Sequence, residues 1–180
     1  CVDVADRESR FPGVGTALFE WVAPLFADET PAEKRLRQAA CLLGDIGWHE
    51  HPDYRAEQVY FRILRLPLLA LSHEEKTKIA LAVYRRYGGS MNDQALRTAE
   101  ALLSEDDMVW SRRLGAALRM AETLTAGNAR LLEGSVLKLS DDVLTLKMKN
   151  GNAALVGDVV RTRFGALARQ FGREPKFEGK

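Results

Sequence analysis

Residues 40–57 read ACLLGDIGWHEHPDYRAE, and the reading of this stretch decides the fold. An apolar stripe at helical spacing, Leu36, Ala39, Ala40, Leu43 and Ile46, runs into a carboxylate, Asp45, and stops at Gly47. Two imidazoles, His49 and His51, follow within six residues of Asp45. A carboxylate and imidazoles at a helix end are chemically suited to a transition metal. Each residue alone also has a plainer reading: His49 as a surface side chain, His51 beside Pro52 as a cap on the next helix. Asp45 in a last turn opposes the helix dipole, so its position predicts a specific partner or role.

Working outward, Thr30-Pro31-Ala32-Glu33 is a capping box with proline at the first helical position. Before it, Val14, Leu18, Trp21, Val22, Leu25 and Phe26 keep helical spacing, while the polar residues Cys1 to Arg10 are expected to be loose. After it, Pro52 is expected to open a helix through Val59, Ile63 and Leu66 that Pro67 ends. Ser72 to Glu75 is a second capping box, and Ile79, Val83 and Tyr87 follow before Gly88-Gly89. Asn92 can cap a fifth helix, and Ser104 to Asp107 starts a sixth that runs through Trp110, Leu114 and Leu118 to Gly127. The pattern then changes. Ser135–Ser140 and Val143–Lys149 are β-rich runs joined by Asp141-Asp142, and Asn150-Gly151-Asn152 is a further turn. Val156, Val160, Phe164, Leu167 and Phe171 return to helical spacing, with Gly172 as stop and a short strand over Pro175 to Glu178. A lone hairpin is marginal in water, so Val136, Leu139, Leu144 and Leu146 are expected to pack on Val160, Phe164 and Leu167. The fold class is mainly α: a helical body over 11–127 and a small ββα(β) unit over 128–180.

Composition excludes several functions. At 180 residues, 46% apolar and 28% charged, the chain is neither disordered nor a disulfide scaffold. Lys and Arg number 26 against 25 Asp and Glu, which argues against a generic DNA binder. No apolar run approaches the length of a membrane span, and Arg7 and Arg10 are followed by no signal-peptide core. Cys41 is expected in the core, and the two cysteines fit a reducing cytoplasm. The chain opens at Cys1 without an initiator Met, so a fragment of a larger protein is expected.

LLGDIGW…HPDYRAE resembles the LLHDIG…HPxxGAE segment of HD-domain phosphohydrolases, all-helical metalloenzymes. Within them, the chain is most similar to the HD-like C-terminal region of the exopolyphosphatase/guanosine pentaphosphate phosphatase family. LRMAETLTAGNARLLEGSVLKLSDDVLTLKMKNGNAAL resembles that family's last helix and β-rich tail, and FGALARQFGREPKF its closing helix and strand. The resemblance spans Phe11 to Phe177 and implies an HD-like helical domain. It also implies departures. The doublet's histidine position holds Gly44, later histidine positions fall at Tyr84, Arg85 and Arg86, and the final Asp position holds Glu122. Arginine stays protonated and repels a dication. Asp45, His51 and Glu122, with His49, are left as vestigial metal candidates, and loss of hydrolysis is the expected outcome.

In that family the catalytic site lies in N-terminal actin-like domains that this chain lacks; Gly13-Val14-Gly15 and Gly88-Gly89 are not phosphate-cradling loops. Ser72 and Ser104 read as caps, and no catalytic residue is assigned. Arginine, 18 of the 26 cations, offers a bidentate fork for phosphate. Arg55, Arg62, Arg85, Arg86, Arg112 and Arg113 are the candidate polyphosphate-binding residues, against the alternative of a solvated face paired with nearby glutamates and, for Arg85 and Arg86, a buried pair with Asp45 or Glu122. The expected function is the substrate-binding or regulatory C-terminal part of an exopolyphosphatase-type phosphohydrolase acting on polyphosphate or guanosine pentaphosphate. The expected partners are its own N-terminal domains and a second copy in a homodimer. No cofactor is expected in this part, with Mg2+ left to the whole enzyme. The alternatives are a self-sufficient HD-type metal phosphohydrolase and a structural dimerisation module.

Overall fold

The computed structural model describes residues 1–90, 94–126, 128, 130–149 and 156–179. The features expected at Asn92, Gly127 and Asn150-Gly151-Asn152 lie outside them. The elements run α1 (Val2–Glu8), α2 (Val14–Val22, continued by a 3-10 turn over Ala23–Leu25), α3 (Pro31–Leu43), α4 (Arg55–Arg65), α5 (His73–Arg86), α6 (Gln94–Leu102), α7 (Glu105–Thr125), α8 (Arg130–Glu133), β1 (Ser135–Leu139), β2 (Val143–Met148), α9 (Asp158–Gln170) and β3 (Glu174–Glu178).

The starts of the three central helices are set by side-chain chemistry. Thr30 and Glu33 form a complete reciprocal box at α3, as do Ser72 and Glu75 at α5. Ser104 Oγ accepts from the Asp107 amide at the start of α7. The α4 start differs from expectation. Pro52 lies in a turn, and α4 begins at Arg55 without a side-chain cap. Its stability comes instead from burying Val59, Tyr60 and Ile63.

α5 is the centre of the body. Every residue from Thr77 to Tyr84 is buried, and α3, α4 and α7 pack around it. Gly115 allows α7 its approach to α5: a Cβ there would stand 2.6 Å from both the Ala82 carbonyl oxygen and Arg85 Cβ. A buried arginine, Arg37, ties α3 to the end of α2. It makes two bonds to Glu29 at 2.6 and 2.8 Å, donates to the Phe19 carbonyl at 2.6 Å and stacks over the Phe19 ring.

The C-terminal sheet has the order β1-β2-β3, antiparallel between β1 and β2 and parallel between β2 and β3, with α9 making the crossover. Leu137 stands opposite Leu146. Ser135 and Leu137 of β1 face inward, so Val136 is exposed, contrary to expectation. Strand periodicity is two, so Val136 and Leu139 lie on opposite faces. Leu144, Leu146, Val160, Phe164 and Leu167 are buried as expected, and the Phe164 ring lies 4.9 Å from that of Phe177. Leu137, Leu146 and Phe164 belong to the same continuous apolar cluster as α5 and α7. Among the described residues, no helix is long and apolar enough to cross a membrane.

Candidate functional site: two arginine centres

α3 ends at Leu43, and the turn after it places Asp45 in the interior, with no exposed surface. Its partner comes from an unexpected place. Residues 1–10 are not loose: α1 forms, and the chain then lays Arg10 onto Asp45. The Arg10 amide donates to Asp45 Oδ2 at 2.9 Å. The Arg10 guanidinium reaches Asp45 Oδ1 at 3.4 Å and Glu122 Oε1, from α7, at 2.9 Å. Arg86, at the end of α5 and 5% exposed, donates to Asp45 Oδ1 at 3.0 Å and to Glu122 Oε2 at 3.3 Å. Two carboxylates and two guanidiniums thus close a ring of compensating charge. Burial lowers the affinity of the Arg10 guanidinium for its proton, but the bonds and charges of Glu122 and Asp45 outweigh it and hold Arg10 above its ordinary value.

Three members of this ring, Arg10, Arg86 and Glu122, line a pocket of about 210 Å³ together with Trp48, Arg55, Tyr87, Arg119 and Thr123. Arg86 stacks over the Tyr87 ring at 4.7 Å, and the Tyr87 hydroxyl accepts from the Gly47 amide at 3.2 Å. Gly47 is glycine for a packing reason: a Cβ there would overlap the Val59 side chain. Arg55 donates twice to the Glu50 carbonyl, at 2.7 and 2.9 Å.

The second centre lies on the other side of Arg119. α5 contributes Arg85, α7 Arg112 and Arg119, and α9 Arg163 to a cleft of about 190 Å³ floored by Ala116, Ala166 and Leu167. Burial first, and the neighbouring Arg112 second, pull the Arg85 guanidinium below its ordinary value; burial and then Arg163 do the same to Arg119. Arg112 is held at 2.6 Å by Glu105, whose carboxylate is exposed.

The candidate polyphosphate residues therefore part company. Arg85 and Arg112 share the cleft, Arg55 and Arg86 share the Asp45 pocket, and the other two stand elsewhere. Arg62 pairs with Glu8 at 2.7 Å, and Arg113 donates to the Gln170 carbonyl at 3.0 Å while stacking over Phe171. Of the vestigial metal candidates, Asp45 and Glu122 meet through the arginines. His51 lies on the exposed turn before α4, where its Nδ1 accepts from the Asp53 amide at 3.3 Å, and His49 lies 3.5 Å from Glu50. Sequence reasoning assigned no role to Arg10 or Arg163. Arg119 has one legible signal, its spacing of four and seven from Gly115 and Arg112 along one face of α7.

A family profile described as exopolyphosphatase, C-terminal, matches residues 6–177. A search of curated proteins finds no match.

Proposed function

The chain belongs to the exopolyphosphatase C-terminal family, and from that premise we propose that it is the substrate-binding and regulatory part of an exopolyphosphatase-type phosphohydrolase, itself without the catalytic site. The observation that carries this reading is the Asp45 ring. The carboxylates that an HD-like hydrolase would turn toward a dication are each engaged by Arg10 and Arg86. A metal there would have to displace two guanidiniums already bonded to its ligands, and the residues present do not fit one. The catalytic water and its general base, with any Mg2+, belong on this reading to actin-like N-terminal domains of a parent cytoplasmic enzyme that works as a homodimer.

What this part supplies is grip. Polyphosphate carries a charge at every link, and several fixed cations hold it by accumulated contacts. Arg85 and Arg112 line one pocket with Arg119, and Arg55 and Arg86 line another with it. Guanosine pentaphosphate presents the same phosphoanhydride end and is a second substrate of the same class.

The purified chain should release no phosphate from long-chain polyphosphate above a heat-killed control, yet retain polyphosphate on a filter in a salt-dependent manner. Phosphate release by the chain alone overturns the reading. So does a full equivalent of Mn, Fe, Zn or Ni that disappears in Asp45→Ala, which would make it a self-sufficient metal hydrolase.

A further inference from the structure

The cleft between α5, α7 and α9 has the features of a discrete receptor rather than of a charged surface. Arg119 and Arg163 have no carboxylate partner among the described residues, although both line a partly enclosed space. Arg163 Nε is buried with no hydrogen-bond partner among the described residues. An unsatisfied buried donor on a cation is costly, and like charges gathered beside it add to the cost. At the exposed rim Glu105 holds Arg112 at 2.6 Å, and the charge of Glu100 reaches Arg85. The Arg119 guanidinium packs against the backbone of Gly88. Gly88 adopts φ +81°, and any side chain there would collide with the Arg119 guanidinium. Ala116 and Ala166 line the cleft beside the arginines with small side chains.

We propose that this cleft binds a single phosphate group, with Arg119 and Arg163 as its principal donors and Arg85 and Arg112 closing the sides. A phosphate dianion offers oxygens in several directions and so can meet guanidiniums arriving from three helices, whereas a planar carboxylate satisfies one fork at a time. The phosphate comes either as free orthophosphate, the product of the parent reaction, or as a unit of the polyphosphate chain. Both identifications of the source rest on the function proposed above; the affinity of the cleft for orthophosphate does not. Because Arg119 also walls the Asp45 pocket, a chain lying across both pockets would pass over it.

The test is calorimetric titration of the 180-residue chain with inorganic phosphate and, separately, with polyphosphate, for wild type, Arg119→Gln, Arg163→Gln and Arg163→Lys. Orthophosphate affinity should fall about tenfold or more in each Gln variant, the loss of one charge-assisted bond, and recover in part with Lys. Acetate at equal ionic strength should not compete. Polyphosphate should weaken in parallel if it threads the cleft. Orthophosphate affinity unchanged in both Gln variants, or no orthophosphate binding by wild type, overturns the site. Polyphosphate binding that survives in the variants while orthophosphate is lost keeps the cleft as a product site, with the grip located elsewhere. Orthophosphate binding without any polyphosphate binding keeps the cleft and overturns the grip function. Arg163→Lys guards against a Gln variant that fails to fold, since it retains the charge.

Discussion

Arg86 shows how one side chain can decide chemistry. It is buried, its guanidinium touches both Asp45 and Glu122, and its neighbour Arg85 opens onto a different pocket. Arg86→Ala should therefore lower the unfolding free energy by about 3 kcal/mol, because Asp45 loses a buried partner while Arg10 remains. Chemical denaturation reads this directly, and a midpoint unchanged by the substitution would show the ring to be inessential. Asp107 carries a pH signature. Burial pushes its carboxyl up, but the Lys78 ammonium at 2.6 Å and the Ser104 hydroxyl outweigh that and hold it below its ordinary 3.8. A carboxyl depressed in the folded state stabilises above its unfolded value and loses that contribution as pH falls through the folded value. The thermal midpoint, followed downward from about pH 6, should thus drop less steeply in Asp107→Asn than in wild type below about pH 4. Equal slopes would remove Asp107 from the acid response.

At the level of elements, the helix starts were legible because capping is local chemistry. Thr30 with Glu33 and Ser72 with Glu75 need no distant partner, and each marks its helix to the residue. The β1 register was not legible from a list of apolar residues. Val136 and Leu137 are both apolar, and only pairing with β2, with Leu137 opposite Leu146, selects the one that turns inward. The two positions should differ accordingly. Phe164→Ala should cost about 3 to 5 kcal/mol, because its ring is buried against Phe177, while Val136→Ala should stay within about 0.5 kcal/mol. Comparable losses at both would put the tail in another register. The start of α4 escaped for a related reason: it has no cap to read, and its position follows from where Val59 and Ile63 meet α5.

For the whole molecule, one apolar cluster joins α5, α7, α9 and the sheet. Thermal unfolding should accordingly be a single transition, with helical ellipticity and tryptophan fluorescence coinciding. Two separated steps would show that the tail unfolds independently of the body. The site was legible only in part. Asp45 announced itself by sitting where a helix dipole disfavours it, and Glu122 by resemblance. Arg10 could not be found, because it lies 35 residues before Asp45 and 112 before Glu122 in a stretch that looked unstructured. Arg163 could not be found either, since nothing along α9 indicates that its guanidinium meets others from α5 and α7.

Arg10 and Arg86 also change what the Asp45 centre depends on. A metal is a diffusible component, bound according to its supply and removable by any stronger chelator. A guanidinium on the same polypeptide is made in fixed stoichiometry with the carboxylate it faces, and its local concentration never varies with the medium. The fold of this chain is in that sense self-sufficient in cations at its centre. Prolonged dialysis of the 180-residue chain against a chelator should leave its melting temperature where it was.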